Sequence, residues 1–516
     1  MTGTTQAGKA VAATDSLDVG GRRLSVNTLW GLAGGGIPLL FALAAMPFIV
    51  DGLGIVRFGV LLLVWALIGY FGLTDLGIGR ALTHMTADRL GAGKAHEVPS
   101  VVWSGMAAMV VLGALGGLLL SALAGPLVRN LLAVPEVYQN EAVACLRLVA
   151  LGLPLIVAGG GLAGVLGGYQ RFALINGLRI PFFAAIFLGQ ALVATFWPNL
   201  SAVVAVLIAI RILNAAVLAW FCWRIAPFRR GESKWNRTDL RRLLGFGGWI
   251  TVSNVIGPLM VYLDRFLIGA MISMSAVAYY ATPHEAVTRL GIVPGAVVGV
   301  LFPAFASVAQ HDRARVARLF HGGLAANLML LVPSTVILVG FAEPLLNLWL
   351  GPDFAAHSTP VLQVMAVAVL INSLAQVPFA LVQALGRPDL TAKLHLAELL
   401  PYLLLLAWCT QTWGILGAAW VWALRVAVDG WILAVFARRL LPELREDRRP
   451  TIAIGVILGA LLLLLSLNLH VTVQLALTAA GLVGAPIMIW LWFMGRDERR
   501  LLLATWKALR SRQPPT

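Results

Sequence analysis

Between residues 26 and 495 the sequence is a succession of fourteen apolar stretches separated by short polar gaps. About 20 apolar residues suffice for a helix to cross the hydrocarbon of a bilayer, so each stretch is a candidate span. The spans are read at 26–50, 57–79, 98–124, 141–168, 172–197, 199–223, 243–271, 275–304, 319–342, 357–385, 389–412, 414–437, 451–469 and 471–495. Nearly all the basic loop residues fall in every second gap. One side carries Arg80, Arg89, Lys94 and Arg171, then the run Arg224, Arg229, Arg230, Lys234, Arg237, Arg241 and Arg242. It continues with Arg313, Arg315, Arg318, Arg387, Lys393, Arg438, Arg439, Arg445, Arg448 and Arg449. The other side carries Arg57 and Arg129, beside the acids Asp51, Glu136, Glu343 and Asp353. Cytoplasmic loops of polytopic proteins are the basic ones, which puts both termini in the cytoplasm and the chain in a bacterial inner membrane.

Composition agrees with a membrane solvent. Of 516 residues 59% are hydrophobic and 12% charged, about half the charged share of an ordinary soluble domain. The formal net charge of +15 sits beside membrane spans, where anionic headgroups account for it without nucleic acid. Cys145, Cys222 and Cys409 all lie inside apolar spans, in no spacing that suggests a disulfide or a metal. No nucleotide-binding loop is present, no outward loop is long enough for a catalytic domain, and no cofactor is expected. The start reads as an uncleaved cytoplasmic segment, because no small-residue cleavage site follows a short apolar core.

The chain also repeats itself. A span ending at Ile49–Gly52 leads to Arg57-Phe58-Gly59, and a similar arrangement recurs at Phe266–Gly269. Gly168-Tyr169-Gln170-Arg171 is matched by Leu385-Gly386-Arg387-Pro388, while Arg211 and Arg224 are spaced like Arg425 and Arg438. Six spans return the chain to its starting side, so two six-span copies share one orientation, a recurrent design of secondary transporters. The expected architecture is an all-α integral membrane protein of about fourteen spans: two six-helix lobes as parallel repeats, plus two C-terminal helices. Its segments are a cytoplasmic start at 1–25, an N-lobe at 26–224, a basic loop at 225–242 and a C-lobe at 243–437. A second basic loop at 438–450, the last two spans at 451–495 and a basic cytoplasmic tail at 496–516 complete the chain. Glycines and prolines interrupt several spans, as at 34–38, 159–161, Pro181, Pro258, Pro294 and Pro333. They either mark bends or let helices pack closely.

Ionisable side chains within spans are costly and are functional candidates by default. Arg289 lies mid-span with Glu285 four residues before it on the same face. Arg425 and Asp429 form a similar pair, and Arg211 has no acid at helical spacing. Asp264 and Arg265 are adjacent and so point in different directions; His284 stands near the outer half of its span. Toward the cytoplasmic ends lie Asp75 and Arg80, Arg179, and Lys393, His395 and Glu398. Arginine dominates the deep set, and its forked guanidinium suits a diphosphate. Arg211, Arg265 and Arg289 are therefore the candidates for substrate phosphate. Asp264, His284, Glu285, Arg425 and Asp429 are the candidates for ion coupling or charge pairing. The structural alternatives are self-neutralised pairs for Glu285–Arg289 and Arg425–Asp429, and snorkelling to headgroups for Arg57, Arg80, Arg179 and Lys393. No metal site is expected.

The runs 47–59, Leu73-Thr74-Asp75-Leu76-Gly77-Ile78-Gly79, Ser253-Asn254, Asp264-Arg265-Phe266-Leu267-Ile268-Gly269 and Ala278-Tyr279-Tyr280 carry a resemblance. So do Leu301-Phe302-Pro303-Ala304-Phe305-Ala306 and Trp413-Gly414-Ile415-Leu416-Gly417-Ala418-Ala419. Together they resemble the Wzx-type oligosaccharide flippases of the multidrug/oligosaccharidyl-lipid/polysaccharide exporter superfamily. The resemblance implies alternating access, by which a polyprenyl-diphosphate-linked glycan moves from the cytoplasmic to the periplasmic leaflet for surface polysaccharide synthesis. It implies no enzyme activity, and as partners the lipid-linked glycan, membrane lipids and the polysaccharide polymerase machinery. Alternatives are a lipid II flippase, a multidrug exporter of the same superfamily, a membrane-embedded glycan polymerase or ligase, and the permease of an ATP-driven exporter.

Overall fold

A computed structural model describes residues 5–73, 77–225, 248–309, 311–445 and 449–466, with scattered helical residues between 478 and 487. Asp75, the basic loop 226–247, most of the expected last span and the tail 496–516 lie outside the described residues. The described residues hold fourteen α-helices and no strand. They are α1 Thr5–Leu73, α2 Ile78–Gly91, α3 Val98–Pro126, α4 Glu136–Gly168, α5 Phe172–Phe196, α6 Leu200–Ile225 and α7 Gly248–Met271. Then follow α8 Met274–Thr288, α9 Ile292–Val308, α10 Arg313–Gly340, α11 Ala342–Leu350, α12 Pro352–Ala384, α13 Pro388–Leu440 and α14 Arg449–Ser466. The chain is thus the all-α polytopic membrane protein expected from its apolar runs.

Two helices are too long for one crossing, and each contains a glycine that breaks it. Gly54 sits at φ 74° within α1 and Gly414 at φ 63° within α13, conformations that glycine adopts without a Cβ penalty. They divide α1 and α13 where the sequence places boundaries between spans. Three features depart from the sequence reading. The loop after span 2 folds as α2, whose Ile78, Ala81 and Leu82 are buried; their i, i+3, i+4 spacing is the signal for it. The outer segment near 343–357 is helical as α11 and the start of α12. The eighth span is broken at Arg289–Gly291, a 3₁₀ turn between α8 and α9. Pro294 has no N–H to offer the Leu290 carbonyl, and a mid-helix 3₁₀ turn is the usual accommodation.

By packing, the chain forms two compact units, one of Met1–Gly54, Leu67–Leu127 and Val137–Gly248 and one of Ile55–Ala66, Val128–Glu136 and Trp249–Thr516. The first unit packs α2, α3, α4 and α6 around Leu82, Val98, Val101, Met109, Val157 and Val165. Helices approach closely there because Gly113 and Gly117 of α3 face the backbone of Pro154 and Ala150. Thr83 Oγ1 donates to the Gly164 carbonyl at 2.9 Å. In the second unit Gly59 lies against the Met274 carbonyl, and the Ala133 N–H donates to the Gly269 carbonyl at 2.8 Å.

The repeat seen in sequence has a local structural counterpart. After α4, Gln170 N–H bonds to Gly167 O at 2.9 Å and Arg171 N–H to Leu166 O at 3.0 Å. After α12, Gly386 N–H bonds to Gln383 O at 3.0 Å and Arg387 N–H to Val382 O at 3.1 Å. Both are helix stops around a left-handed residue, with φ 57° at Gln170 and 79° at Gly386.

Candidate functional site

Each unit holds its own set of charged side chains. In the first, α4, α5 and α6 enclose a cavity of about 240 Å³ lined by Arg179, Phe183, Arg211, Asn214, Gly159 and Gly160, among others. The cavity exists because the α4 wall carries no side chain at 159 and 160. A Cβ there would meet nothing nearer than Ala215 at 3.7 Å and Met109 at 3.9 Å respectively. Arg179 and Arg211 lie over the same ring, with Cζ 5.6 and 5.8 Å from the Phe183 centroid. Cation–π attraction holds each guanidinium there. Both guanidiniums line the cavity, and each offers forked donors suited to an anion. Arg179, read from the sequence as a snorkelling residue, lines the same cavity as Arg211.

In the second unit, α7 and α8 bring Asp264, Arg265, His284, Glu285 and Arg289 into one network. Asp264 is fully buried and Arg265 is 1% exposed. Asp264 Oδ1 accepts the Arg265 backbone N–H at 2.7 Å, and Oδ2 accepts the Tyr280 hydroxyl at 2.6 Å. Glu285 bridges two arginines: Oε1 accepts from Arg265 Nη2 at 2.8 Å and Oε2 from Arg289 Nη2 at 3.0 Å. Arg265 Nη2 also lies 3.2 Å from His284 Nδ1. A guanidinium only donates, so Nδ1 accepts and the imidazole proton sits on Nε2. His284 is held further by Tyr280, stacked at 6.2 Å, and by the edge of Trp422 at 5.0 Å. Two acids and two arginines balance in this network. Arg265 is enclosed within it, whereas the Arg289 side chain is 41% exposed at the 3₁₀ break.

A third set lies on α13 alone. The four-residue spacing of Arg425 and Asp429 leaves them within electrostatic reach of each other, and each also reaches across the Gly414 bend. Arg425 Nε lies 3.6 Å from Glu398 Oε2, and Asp429 Oδ1 lies 3.9 Å from His395 Nε2. Glu398 and Asp429 stand at nearly equal chain distance from Gly414, so folding the helix back on itself brings them level. That juxtaposition was not readable from four-residue spacing because it joins the two segments on either side of the Gly414 bend. Arg80 and Lys393 are exposed, Lys393 facing Asp389 at 3.4 Å. Among the described residues no group of His, Cys, Asp or Glu is arranged to hold a metal.

Comparison with known proteins follows the same outline. A sequence profile described as "Polysaccharide biosynthesis protein" matches residues 53–359. The chain belongs to that family. The chain is 31% identical over 408 residues to a putative O-antigen transporter of Shigella flexneri, covering 79% of this chain and 96% of that one. It is 22% identical to a probable low-salt glycan biosynthesis flippase of Haloferax volcanii over 42% of this chain and 46% of that one. Among solved structures, an inward-facing multidrug resistance MATE family transporter of the MOP superfamily superposes with a TM-score of 0.66 at 12% identity. The match covers 81% of this chain and 99% of that one, and at this identity it speaks for the fold alone.

Proposed function

We propose that this protein is a flippase that carries a polyprenyl-diphosphate-linked oligosaccharide from the cytoplasmic to the periplasmic leaflet by alternating access. The observation that carries the reading is the cationic lining: Arg179 and Arg211 share a cavity in one unit, and Arg289 is exposed at a helix break in the other. A diphosphate needs such forked, permanently charged donors to leave water. A cationic drug would be repelled by them, which weighs against a multidrug exporter despite the shared fold. The O-antigen transporter and glycan flippase among its relatives support a lipid-linked glycan as cargo. In this reading the protein resides in a bacterial inner membrane with both termini cytoplasmic, and passes its product to polymerase machinery. Arg211 in its unit and Arg289 in its own are each a candidate to meet the diphosphate, and Arg265 holds Glu285 and Asp264 in place.

The test is the site of arrest in a strain lacking the protein. Complete lipid-linked repeat units are expected to accumulate on the cytoplasmic leaflet and to clear when the wild-type copy is restored. Normal delivery of unpolymerised units to the periplasm would overturn the proposal and point to a step after translocation.

A further inference from the structure

The set on α13 differs in kind from the network of α7 and α8. There, two acids accompany two arginines, and both guanidiniums donate to Glu285, at 2.8 and 3.0 Å. Here, two acids, Glu398 and Asp429, face one arginine and one histidine at 3.6 and 3.9 Å. Their side chains are 10% and 11% exposed. With both carboxylates ionised and the imidazole neutral, the set carries one negative charge in excess, which is costly at membrane depth.

The geometry shows what cancels it. Glu398 and Asp429 lie within hydrogen-bond reach of each other. Two carboxylates are acceptors only, and neither has a hydrogen to give. Glu398 Oε1 and Oε2 and Asp429 Oδ1 accordingly have no hydrogen-bond partner among the described residues. The Tyr402 hydroxyl, on a residue 4% exposed, is likewise unpartnered. One proton on either acid turns two facing acceptors into a donor–acceptor pair and brings the set to neutrality.

We propose that Glu398 and Asp429 form a binding site for a single proton, shared between the two halves of α13. This deepens the flippase reading and rests on it for its purpose, which is to couple transport to a proton gradient. Its chemistry stands without that reading. A sodium ion fits less well, because the Arg425 guanidinium occupies the flank of Glu398. The surroundings of the pair are defined. On α13 itself they are His395, Tyr402 and Arg425; α7 brings Asp264 close enough to act on Tyr402. The α8 helix brings His284 against Trp422, and α12 presents the Phe379 ring, stacked on His395 at 6.1 Å. Because α13 is bent at Gly414, binding or release of the proton changes the attraction between its halves.

The test is infrared titration of the full-length protein in lipid vesicles, reading the carbonyl stretch of protonated carboxyl groups as pH is raised. Wild type is expected to lose one such band, equivalent to one carboxyl per chain. Glu398→Gln and Asp429→Asn, nearly isosteric, are each expected to abolish it, while Asp389→Asn at the surface leaves it. Absence of the band from wild type at every pH overturns the proposal, and that measurement needs no variant to fold. So does a band that survives in both variants, or one displaced at constant pH by sodium in place of potassium. Leaflet-resolved glycan analysis in the deletion strain separates the two ideas. A titrating pair in a protein whose loss does not arrest translocation removes the flippase reading and leaves the proton site. Arrest without a titrating pair does the reverse.

Discussion

Arg265 and Arg289 share one glutamate, yet they are expected to respond differently to truncation. Removing Arg265 leaves Glu285 and the fully buried Asp264 without their nearest cation. Breaking a buried pair in this way costs about 3–5 kcal/mol. We therefore expect Arg265→Ala to lower the amount of folded protein in the membrane and its thermal midpoint in detergent. Arg289→Ala exposes no such debt, because its side chain is 41% exposed and Glu285 keeps Arg265. It is expected to leave folded protein in place and abolish glycan export, with Arg289→Lys retaining part of it. Normal export by Arg289→Ala at native expression removes Arg289 from the substrate site. The sequence supplied both arginines and the Glu285–Arg289 spacing. It did not supply the cross-helix contact that takes up Arg265, because a period of 3.6 reports neighbours on one helix only.

At the scale of elements, the turns that end α4 and α12 are built alike, but one has a glycine and the other a glutamine at the left-handed position. A side chain in that conformation costs about 1–2 kcal/mol. Gln170→Gly is thus expected to raise the thermal midpoint of the purified protein, and Gly386→Ala to lower it; a fall in both variants would contradict the shared turn. The helical repeat was readable as matched spacings around Gly168 and Leu385. Its variation was not, since only the φ values show that Gln170 bears the strain that Gly386 avoids. The break after α8 belongs to the same scale. Pro294 announced an interruption in the eighth span, but not that Arg289 would be carried on the 3₁₀ turn preceding it.

For the whole molecule, the positive-inside pattern makes a direct prediction about orientation. Leu348 on α11 is 88% exposed and lies in a segment assigned to the periplasm, whereas Lys94, also exposed, lies in one assigned to the cytoplasm. The native Cys145, Cys222 and Cys409 are buried. In intact cells Leu348→Cys is expected to react with an impermeant thiol reagent and Lys94→Cys only after permeabilisation. The opposite result inverts the topology and, with it, the direction assigned to transport.

The amino-acid sequence by itself determined the class of fold. Apolar runs long enough to cross a bilayer leave the backbone to satisfy itself as helices, and the distribution of Arg and Lys predicts how they are oriented. It also determined which ionisable residues fall within the long apolar helices. Only the tertiary structure decided their partners. Arg179 joins Arg211 because α4 lacks side chains at Gly159 and Gly160. Arg425 reaches Glu398 as well as Asp429 because α13 folds back at Gly414. Charge and hydropathy act on one segment at a time and are legible along the chain. Pairing depends on which helix faces comes together, and that is fixed by packing between segments distant in sequence.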